Sequence, residues 1–213
     1  MKFVMSYSCG KDSTLALEKI TAAGHECVGL LVMVNDNMKR SYFHGADEEL
    51  MRKFSDALGY PLILCPSDGY DYHTKFEEGL SKAKELGAEM VGFGDIDLED
   101  NKKWGVERCE NAGLTYIYPL WQKDREDVLR EIIDSGYVCM IKSVDKSKLP
   151  ASFLGKALNH TLMDEMKLLG IDACGENGEY HTIVTDGPVF KKPLDVTIGE
   201  IIDFGSHAAI DIG

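Results

Sequence analysis

The chain has 213 residues, of which 36 are Asp or Glu and 23 are Lys or Arg, and its formal net charge is −13. With 44% hydrophobic and 28% charged residues, its composition is that of a folded globular protein and argues against disorder. No stretch approaches the roughly 18 apolar residues that a membrane span needs, and the N-terminal residues do not resemble a secretory signal. Because nonspecific binding to nucleic acid needs clustered basic residues, we expect neither a membrane nor a nucleic acid as a partner.

The six cysteines are scattered along the chain, and no two of them form a C-x-x-C pair. A chain with a full core needs no disulfide framework, so we predict reduced thiols, mostly in the core, in a cytoplasmic protein. Cys9 is the exception to examine, because a helix N-terminus lowers the pKa of a thiol.

Helices are predicted for several segments in which apolar residues recur with helical spacing. Each of these segments ends at a glycine. Glycine just past a helix adopts the left-handed conformation that closes the last turn. The glycines in question are Gly24, Gly59, Gly87, Gly113, Gly136 and Gly170, and the last helix is inferred from Leu154, Leu158, Leu162 and Leu169. Short β-prone stretches alternate with the helices, at residues 3–7, 27–34, 61–65, 89–93, 114–118 and 137–143.

Alternating strands and helices imply parallel β-α-β units, so we predict an α/β fold with an open parallel sheet and helices on both faces. The pattern changes near residue 119, and later strands are predicted at 180–185, 194–203 and 207–210. We therefore expect an α/β domain at about 1–119 and a smaller α+β domain at about 120–213. No linker rich in Gly, Ser or Pro separates the two, so they should pack tightly.

The sharpest local signal follows the first predicted strand and reads Ser8-Cys9-Gly10-Lys11-Asp12-Ser13. Ligands bind open α/β sheets at the carboxyl ends of the strands, where helix N-termini offer N–H groups to a phosphate. Gly10 lets the backbone approach the anion, the serines add hydroxyl donors, Lys11 adds charge, and Asp12 is a candidate magnesium ligand. The structural alternative is an N-capped turn, since Asp and Ser are common at helix starts.

This loop is not the P-loop of the large NTPase class, because Asp12 separates Lys11 from Ser13 and Met5 stands where the first glycine belongs. Nor is it the dinucleotide-binding fingerprint. It resembles the pyrophosphate loop of the N-type ATP pyrophosphatases, which have a Rossmann-like HUP fold and cleave ATP between the α and β phosphates. Their usual form is Ser-Gly-Gly-Lys-Asp-Ser, and Cys9 replaces the first glycine here. Because cysteine is small, we expect the phosphate cradle to survive.

Further segments narrow the resemblance. They are Gly94-Asp95-Ile96, Pro119-Leu120-Trp121, Phe153-Leu154-Gly155-Lys156, Cys174-Gly175-Glu176-Asn177-Gly178-Glu179-Tyr180-His181-Thr182 and Asp186-Gly187-Pro188. Together with the first loop they are similar to the diphthine–ammonia ligase family, from residue 2 to about residue 194. The long acidic segment with the Asp-Gly-Pro that follows it is the most specific element.

The resemblance implies an enzyme that uses ATP to adenylate a carboxylate, releases pyrophosphate, and lets ammonia displace AMP to form an amide. In that family the acceptor is a modified histidine of translation elongation factor 2. The resemblance places the triphosphate on Ser8, Cys9, Gly10, Lys11, Asp12 and Ser13, the adenine along Val32 and Met33, and the nucleotide near His44 and Gly45. It also places Gly94 and Asp95 beside the ribose or a Mg²⁺ ion, with Asp12 as a second magnesium ligand. Catalysis is assigned to Lys11, Asp12, Glu176, Glu179 and Tyr180.

The acidic pair Glu176 and Glu179 fits this chemistry independently of the resemblance. Two carboxylates in a compact turn can bind Mg²⁺ or ammonium, and one with a raised pKa can deprotonate ammonium for attack. The structural alternative is a solvated acidic turn leading into a strand. Asp95 follows a strand and is a metal candidate, whereas the acids at 97, 99 and 100 are predicted to form a solvated helix start.

The chain departs from the family pattern at Asn101-Lys102, where His or Gln followed by Arg is common, and at Ala46-Asp47, where an apolar residue and Arg are common. ATP binding stays credible, but the acceptor, the ammonia source and the oligomeric state are open, a homo-oligomer being one expectation. Two other functions remain as alternatives: a nucleotide sensor without ligase activity, and a pyrophosphate-loop enzyme that modifies RNA. The missing C-x-x-C pair and the net charge argue against RNA modification, and the second-domain carboxylates favour catalysis over sensing.

Overall fold

The computed structural model describes residues 1–42 and 44–213, within which the chain forms ten strands and six α-helices. The strands are β1 (Lys2–Ser6), β2 (Glu26–Asn35), β3 (Arg40–Ser41), β4 (Leu62–Ser67), β5 (Met90–Gly92), β6 (Thr115–Ile117), β7 (Val138–Asp145), β8 (Tyr180–Asp186), β9 (Ile198–Asp203) and β10 (His207–Ile212). The helices are α1 (Lys11–Ala22), α2 (Glu48–Leu58), α3 (Tyr72–Glu85), α4 (Glu99–Ala112), α5 (Arg125–Asp134) and α6 (His160–Leu168). Across the described ranges, no helix is long and apolar enough to cross a membrane.

The first sheet has five parallel strands in the order β4-β2-β1-β5-β6, and the short β3 pairs antiparallel with the end of β2. Helices cover both faces, because neighbouring residues of β1 belong to different clusters. Phe3 and Met5 pack with α1 and α2, whereas Val4 packs with α3 and α4. Such strands are buried on both sides, which explains their nearly continuous apolar sequence. The predicted open parallel sheet is confirmed.

The second sheet is antiparallel, in the order β8-β7-β10-β9. Its buried side chains, such as Ile141 and Ile183, belong to the same hydrophobic cluster as Leu15 and Leu17 of α1. Residues of α5 and α6, including Leu129 and Leu162, fill the rest of that cluster. The two sheets therefore pack against one shared core, and this junction positions the candidate site.

The glycines that end the predicted helices are confirmed as helix terminators. All six have positive φ angles, between 64° and 92°. At Gly59, for example, the left-handed residue donates its N–H to the carbonyl oxygen of Ser55 at 2.7 Å, which closes the end of α2.

Two predicted element boundaries were wrong. The helix inferred from Leu154 begins only at His160, because the segment before it pairs with β7: Leu158 N–H donates to the carbonyl of Cys139 at 2.7 Å. Leucines four residues apart can thus face a core from an extended segment as well as from a helix. The strand predicted from residue 194 begins at Ile198.

All six cysteines are free and buried, as predicted. Burial raises the pKa of the Cys9 thiol well above its ordinary value, although the nearby Lys142 opposes the shift. The helix N-terminus therefore does not make Cys9 a reactive thiolate, because desolvation disfavours the charged form.

Candidate active site

The loop between β1 and α1 is built around a left-handed residue and a glycine. Cys9 has a φ of 71° and is fully buried, and Gly10 follows as the N-cap of α1 without a capping side chain. A residue without Cβ would suit the backbone at Cys9 better, which is a physical reason for glycine in the usual form of this loop. Cys9 thus adopts a backbone conformation that favours glycine, and the survival of the phosphate cradle stays a prediction.

The two serines of the loop hold it closed. Their Oγ atoms lie 3.0 Å apart, and the Ser8 Oγ accepts the N–H of Gly10 at 3.3 Å. The Ser13 hydroxyl donates to the carbonyl of Gly10 at 3.1 Å. Both hydroxyls line the cavity in front of the loop, so the groups that shape the cradle are also the groups that would meet a phosphate.

Lys11 is buried, with 4% of its surface exposed, and its ammonium group joins the two parts of the chain. The Nζ lies 2.8 Å from Asp12 Oδ2 and donates to the carbonyl of Cys174 at 2.5 Å. It also lies 5.6 Å from the centre of the Tyr180 ring. Burial by itself lowers the pKa of Lys11, but neighbours led by Asp12 and Tyr180 outweigh it and hold that pKa above its ordinary value. The site thus keeps a permanent cation at the start of α1.

Strand β8 of the second sheet runs along this loop. The Lys11 N–H donates to Thr182 Oγ1 at 3.2 Å, and the Val184 N–H donates to the carbonyl of Cys9 at 3.2 Å. Because Lys11 begins α1, a side chain of the second sheet satisfies one of the N–H groups that a helix start leaves free.

His44 packs between the loop and β8. Its Nδ1 donates to the carbonyl of Thr182 at 2.5 Å, which leaves Nε2 as an acceptor in the neutral ring. A Cβ at Gly10 would lie 2.3 Å from the imidazole, so glycine is required there for this contact. Burial, with His181 and two lysines nearby, lowers the pKa of His44 to about 3. Burial likewise lowers the pKa of His181, whose ring centre is 5.1 Å away, to about 4. Both rings are neutral near pH 7.

Three carboxylates face the loop from different elements. Asp12 lies on α1, Asp95 follows β5, and Glu176 lies in the segment 172–179, which we call the acidic loop. Burial, with the charge of Asp12, raises the pKa of Glu176 to about 7. Burial also raises the pKa of Asp95, although a hydrogen bond with the Asn101 side chain opposes it. Asn101, one of the residues that depart from the family pattern, thus places its side-chain amide against Asp95.

These groups surround one cavity of about 450 Å³. Val32 and Met33 reach it because β2 continues past Leu31, the last residue that pairs with β1. The predicted site residues that line it are Ser8, Lys11, Asp12, Ser13, Val32, Met33, His44, Gly94, Asp95, Glu176 and Tyr180. Tyr72 and Trp104, aromatic residues that were not predicted, also line it and pack against the cluster that contains Met33.

Four predicted site residues are not among those that line the cavity. Cys9 is buried behind the loop, Gly10 packs against His44, and the Gly45 carbonyl accepts from Arg40 Nη1 at 3.0 Å. The Glu179 carboxylate is buried and accepts the backbone N–H of Asn177 at 3.1 Å and its side-chain amide at 3.3 Å. Glu179 therefore holds the acidic loop in shape.

Tyr180 lines the cavity, and its hydroxyl is engaged by the backbone. The phenol donates to the carbonyl of Ala173 at 2.5 Å, and burial raises its pKa well above the ordinary value. Asp97, predicted to be solvated, instead pairs with Arg125 through two hydrogen bonds of 2.7 and 2.6 Å. Arg125 and Thr182 are the main contacts that sequence reasoning missed. No local pattern marks Arg125, whereas Thr182 ends the acidic segment already singled out.

A parallel sheet with a pyrophosphate-type loop at the carboxyl end of its first strand, facing a cavity of nucleotide size, defines an α/β nucleotide-binding protein. Residues 1–116 match the family model of the diphthamide synthase N-terminal domain, and residues 124–212 match that of the C-terminal domain. The chain belongs to the diphthamide synthase family.

Several relatives are similar over nearly the whole chain. The diphthine–ammonia ligase of Rattus norvegicus is 30% identical, and that of Homo sapiens 29%, each over 98% of this chain and 87% of the relative. The Danio rerio enzyme of the same name is 26% identical over 100% of this chain and 93% of its own. A crystal structure described as a predicted subunit of tRNA methyltransferase from Methanocaldococcus jannaschii aligns over 90% of this chain and 99% of that chain, with 13% identity and a TM-score of 0.47.

Proposed function

We propose that the protein is an ATP-dependent ligase that joins ammonia to a carboxylate and releases AMP and pyrophosphate. One observation carries the proposal: the pyrophosphate loop and the acidic loop, which come from different parts of the chain, face the same cavity. The relatives named diphthine–ammonia ligase support it. The acceptor that fits this name is diphthine, a modified histidine on elongation factor 2.

In this proposal residues 1–119 bind ATP and residues 120–213 present the acceptor. The triphosphate lies against the first turn of α1, where Ser8, Ser13 and Lys11 supply hydroxyl and ammonium donors. The adenine lies along Val32 and Met33 of the same cavity. Each of these residues lines the cavity, so one bound nucleotide can contact them together.

The carboxylate of Asp12 fits a magnesium ion. Among the described residues its Oδ1 is buried without a hydrogen-bond partner, while Oδ2 contacts Lys11. Mg²⁺ keeps water and phosphate ligands and needs only one or two carboxylates from the protein. Asp12 and Asp95 would hold the ion. When bound, it neutralises charge on the triphosphate and makes the α-phosphorus easier to attack.

The reaction has two steps. A carboxylate oxygen of the acceptor attacks the α-phosphorus of ATP, and the bond between that phosphorus and the bridging oxygen breaks, releasing pyrophosphate. Ammonia then attacks the acyl carbon, and AMP leaves with the former carboxylate oxygen. Glu176 accepts the proton that ammonium loses before attack, which its raised pKa permits near neutral pH. Lys11 stabilises the negative charge that develops on the phosphate.

The test is to incubate the protein with ATP, Mg²⁺, ¹⁵N-ammonium and a diphthine-bearing elongation factor 2, then to separate the nucleotides and find the ¹⁵N. AMP, pyrophosphate and labelled amide are expected in equal amounts. ADP and phosphate as sole products would contradict the proposal. ATP binding without turnover would favour a nucleotide sensor, and AMP formation that depends on added tRNA would favour an RNA-modifying enzyme.

We also propose that the protein self-associates through β9, the edge strand of the second sheet. Three large apolar side chains of β9 are exposed, Ile198 (52%), Ile201 (55%) and Ile202 (40%), and so is Phe204 (56%), which directly follows the strand. Within the described chain β9 pairs with β10 alone, so its outer edge offers backbone groups to another strand. A second copy suits this edge, because antiparallel pairing centred on Ile201 sets Glu200 opposite Ile202 of the other copy instead of another acid.

A further inference from the structure

Arg125, the first residue of α5, connects the two parts of the chain beside the cavity. Its Nε and Nη2 donate to the two carboxylate oxygens of Asp97, at 2.7 and 2.6 Å. This is the bidentate geometry that a guanidinium group can make and an ammonium group cannot. Asp97 lies two residues after Asp95, so these two hydrogen bonds attach Arg125 to the part of the chain proposed to bind the nucleotide.

The remaining nitrogen of Arg125 reaches the acidic loop. Its Nη1 donates to Asp172 Oδ2, and the same carboxylate accepts the N–H of Cys174 at 3.0 Å and of Glu176 at 3.1 Å. The Cys174 thiol donates back to the carbonyl of Arg125 at 2.8 Å. The Asp172 carboxylate thus holds the backbone at the start of the acidic loop, and Arg125 in turn holds that carboxylate in place.

This network ends at the catalytic groups. The carbonyl of Cys174 accepts from Lys11 Nζ, and the N–H of Glu176 is held by Asp172. Only 11% of the Asp172 side chain is exposed, so its charge needs the guanidinium partner. Without Arg125, an uncompensated carboxylate would remain under the loop that carries the proposed base.

We propose that Arg125 is a positioning residue of the ligase reaction, which sets the acidic loop so that Glu176 faces the loop between β1 and α1. This inference rests on the proposed function. Arg125 lies outside the residues that line the cavity, so it acts through Asp172 and not by touching substrate.

The test compares Arg125→Ala and Arg125→Lys with the wild type and with Arg130→Ala. Arg130 lies on the same helix and forms an exposed ion pair with Glu126 at 3.7 Å. For both Arg125 variants we expect ATP affinity within about twofold, amide formation slower by about 100-fold, and a higher KM for ammonium. Free guanidinium should restore part of the rate of Arg125→Ala, and Arg130→Ala should behave as wild type. Unchanged amide formation in Arg125→Ala, or equal losses of ATP affinity and rate, would overturn the inference.

Asp97→Asn provides a second variant should Arg125→Ala not fold. Asparagine has nearly the shape of aspartate but can accept only one of the two hydrogen bonds that Arg125 donates. This variant should also keep its ATP affinity while amide formation slows, with a smaller loss of rate than in the Arg125 variants. Hydrogen exchange of residues 172–179 gives a readout that needs no activity: faster exchange is expected in Arg125→Ala, and unchanged exchange would contradict the inference. If the wild type makes no amide while exchange still quickens, the proposed function fails and the positioning of the loop stands.

Discussion

Cys9 departs from the motif in residue type, yet its backbone lies in a region that favours glycine. Its φ is 71°, and a Cβ there costs roughly 1–2 kcal/mol. We predict that Cys9→Gly keeps ATP turnover, because the loop conformation is already the one that glycine prefers. Cys9→Val should destabilise the fold by about 1–3 kcal/mol, since a β-branched side chain tolerates this backbone poorly and adds volume at a fully buried position. Thermal unfolding and AMP release measure the two effects. Loss of turnover in Cys9→Gly would show that the thiol itself is needed.

Glu176 should give the ligase its pH dependence. Its pKa is raised from 4.5 to about 7, and only the ionised form can accept a proton. At fixed ammonium concentration and saturating ATP, the rate should rise with pH up to about 7 and change little through this group above it. Glu176→Gln should lower the rate by about 100-fold and remove the inflection. An inflection that persists near the same pH in Glu176→Gln would assign it to another group.

The same raised pKa makes a stability prediction that serves as a folding control. The folded state binds the Glu176 proton more tightly than the unfolded state, so its destabilising effect develops between about pH 4.5 and 7 and is complete above 7. Glu176→Gln removes this cost and should raise the free energy of unfolding at pH 8 by about 1 kcal/mol, allowing for solvent screening at a part-exposed side chain. Denaturant melts at pH 4 and pH 8 measure the difference, which should vanish at the lower pH. A less stable variant at pH 8 would contradict the assigned burial.

At the scale of elements, the close approach of Gly94, two residues after β5, to the first turn of α1 sets the geometry of the site. A Cβ on Gly94 would lie 2.7 Å from the backbone nitrogen of Ser13 and 2.8 Å from the backbone carbon of Asp12. Backbone atoms at a helix start cannot yield as a side-chain tip can. We predict that Gly94→Ala destabilises the fold by about 1–3 kcal/mol and weakens ATP binding about tenfold. Gly29→Ala is the matched control, because its Cβ would meet a methyl group of Ile63 at 3.3 Å. Calorimetric titration with ATP separates the two variants, and equal ATP affinities would contradict the prediction.

Sequence reasoning succeeded where one local rule decided the outcome. Glycines that end helices and apolar runs buried on both faces are local signals, so the first sheet was predicted nearly strand for strand. Sequence reasoning failed where contacts between distant parts of the chain determined the local structure. The leucines at 154 and 158 have helical spacing, yet this segment pairs with β7. Arg125 could not be recognised because its carboxylate partners are 28 and 47 residues away in the chain. Asp47, read as a departure near an anion site, caps α2 by accepting the N–H of Leu50 at 2.8 Å.

For the whole molecule, the site exists because two sheets share a core. Strand β8 provides Thr182 to the start of α1, and the acidic loop just before β8 provides an acceptor for Lys11. The groups proposed to bind the nucleotide and those proposed to bind the acceptor are therefore held by one hydrophobic cluster and not by a flexible linker. This explains why no separate segment marks the boundary in the sequence. The acidic segment could be recognised from the sequence, but its contacts with Lys11 at the start of α1 could not.

Strand β9 lies at the edge of the second sheet, and all six of its residues are exposed. If two copies pair along this edge, a charge placed in its middle should separate them, because a buried ammonium group without a partner is costly. We predict a concentration-dependent dimer for the wild type and a monomer for Ile201→Lys, by sedimentation at micromolar concentrations. Ile201 is 55% exposed, so the variant should fold normally and keep its ATP affinity, since β9 lies outside the cavity. Leu168→Lys is the control, because this leucine is 89% exposed at the end of α6 and its replacement should leave the dimer intact. A monomeric wild type, or a dimer that survives Ile201→Lys, would rule out self-association through this strand.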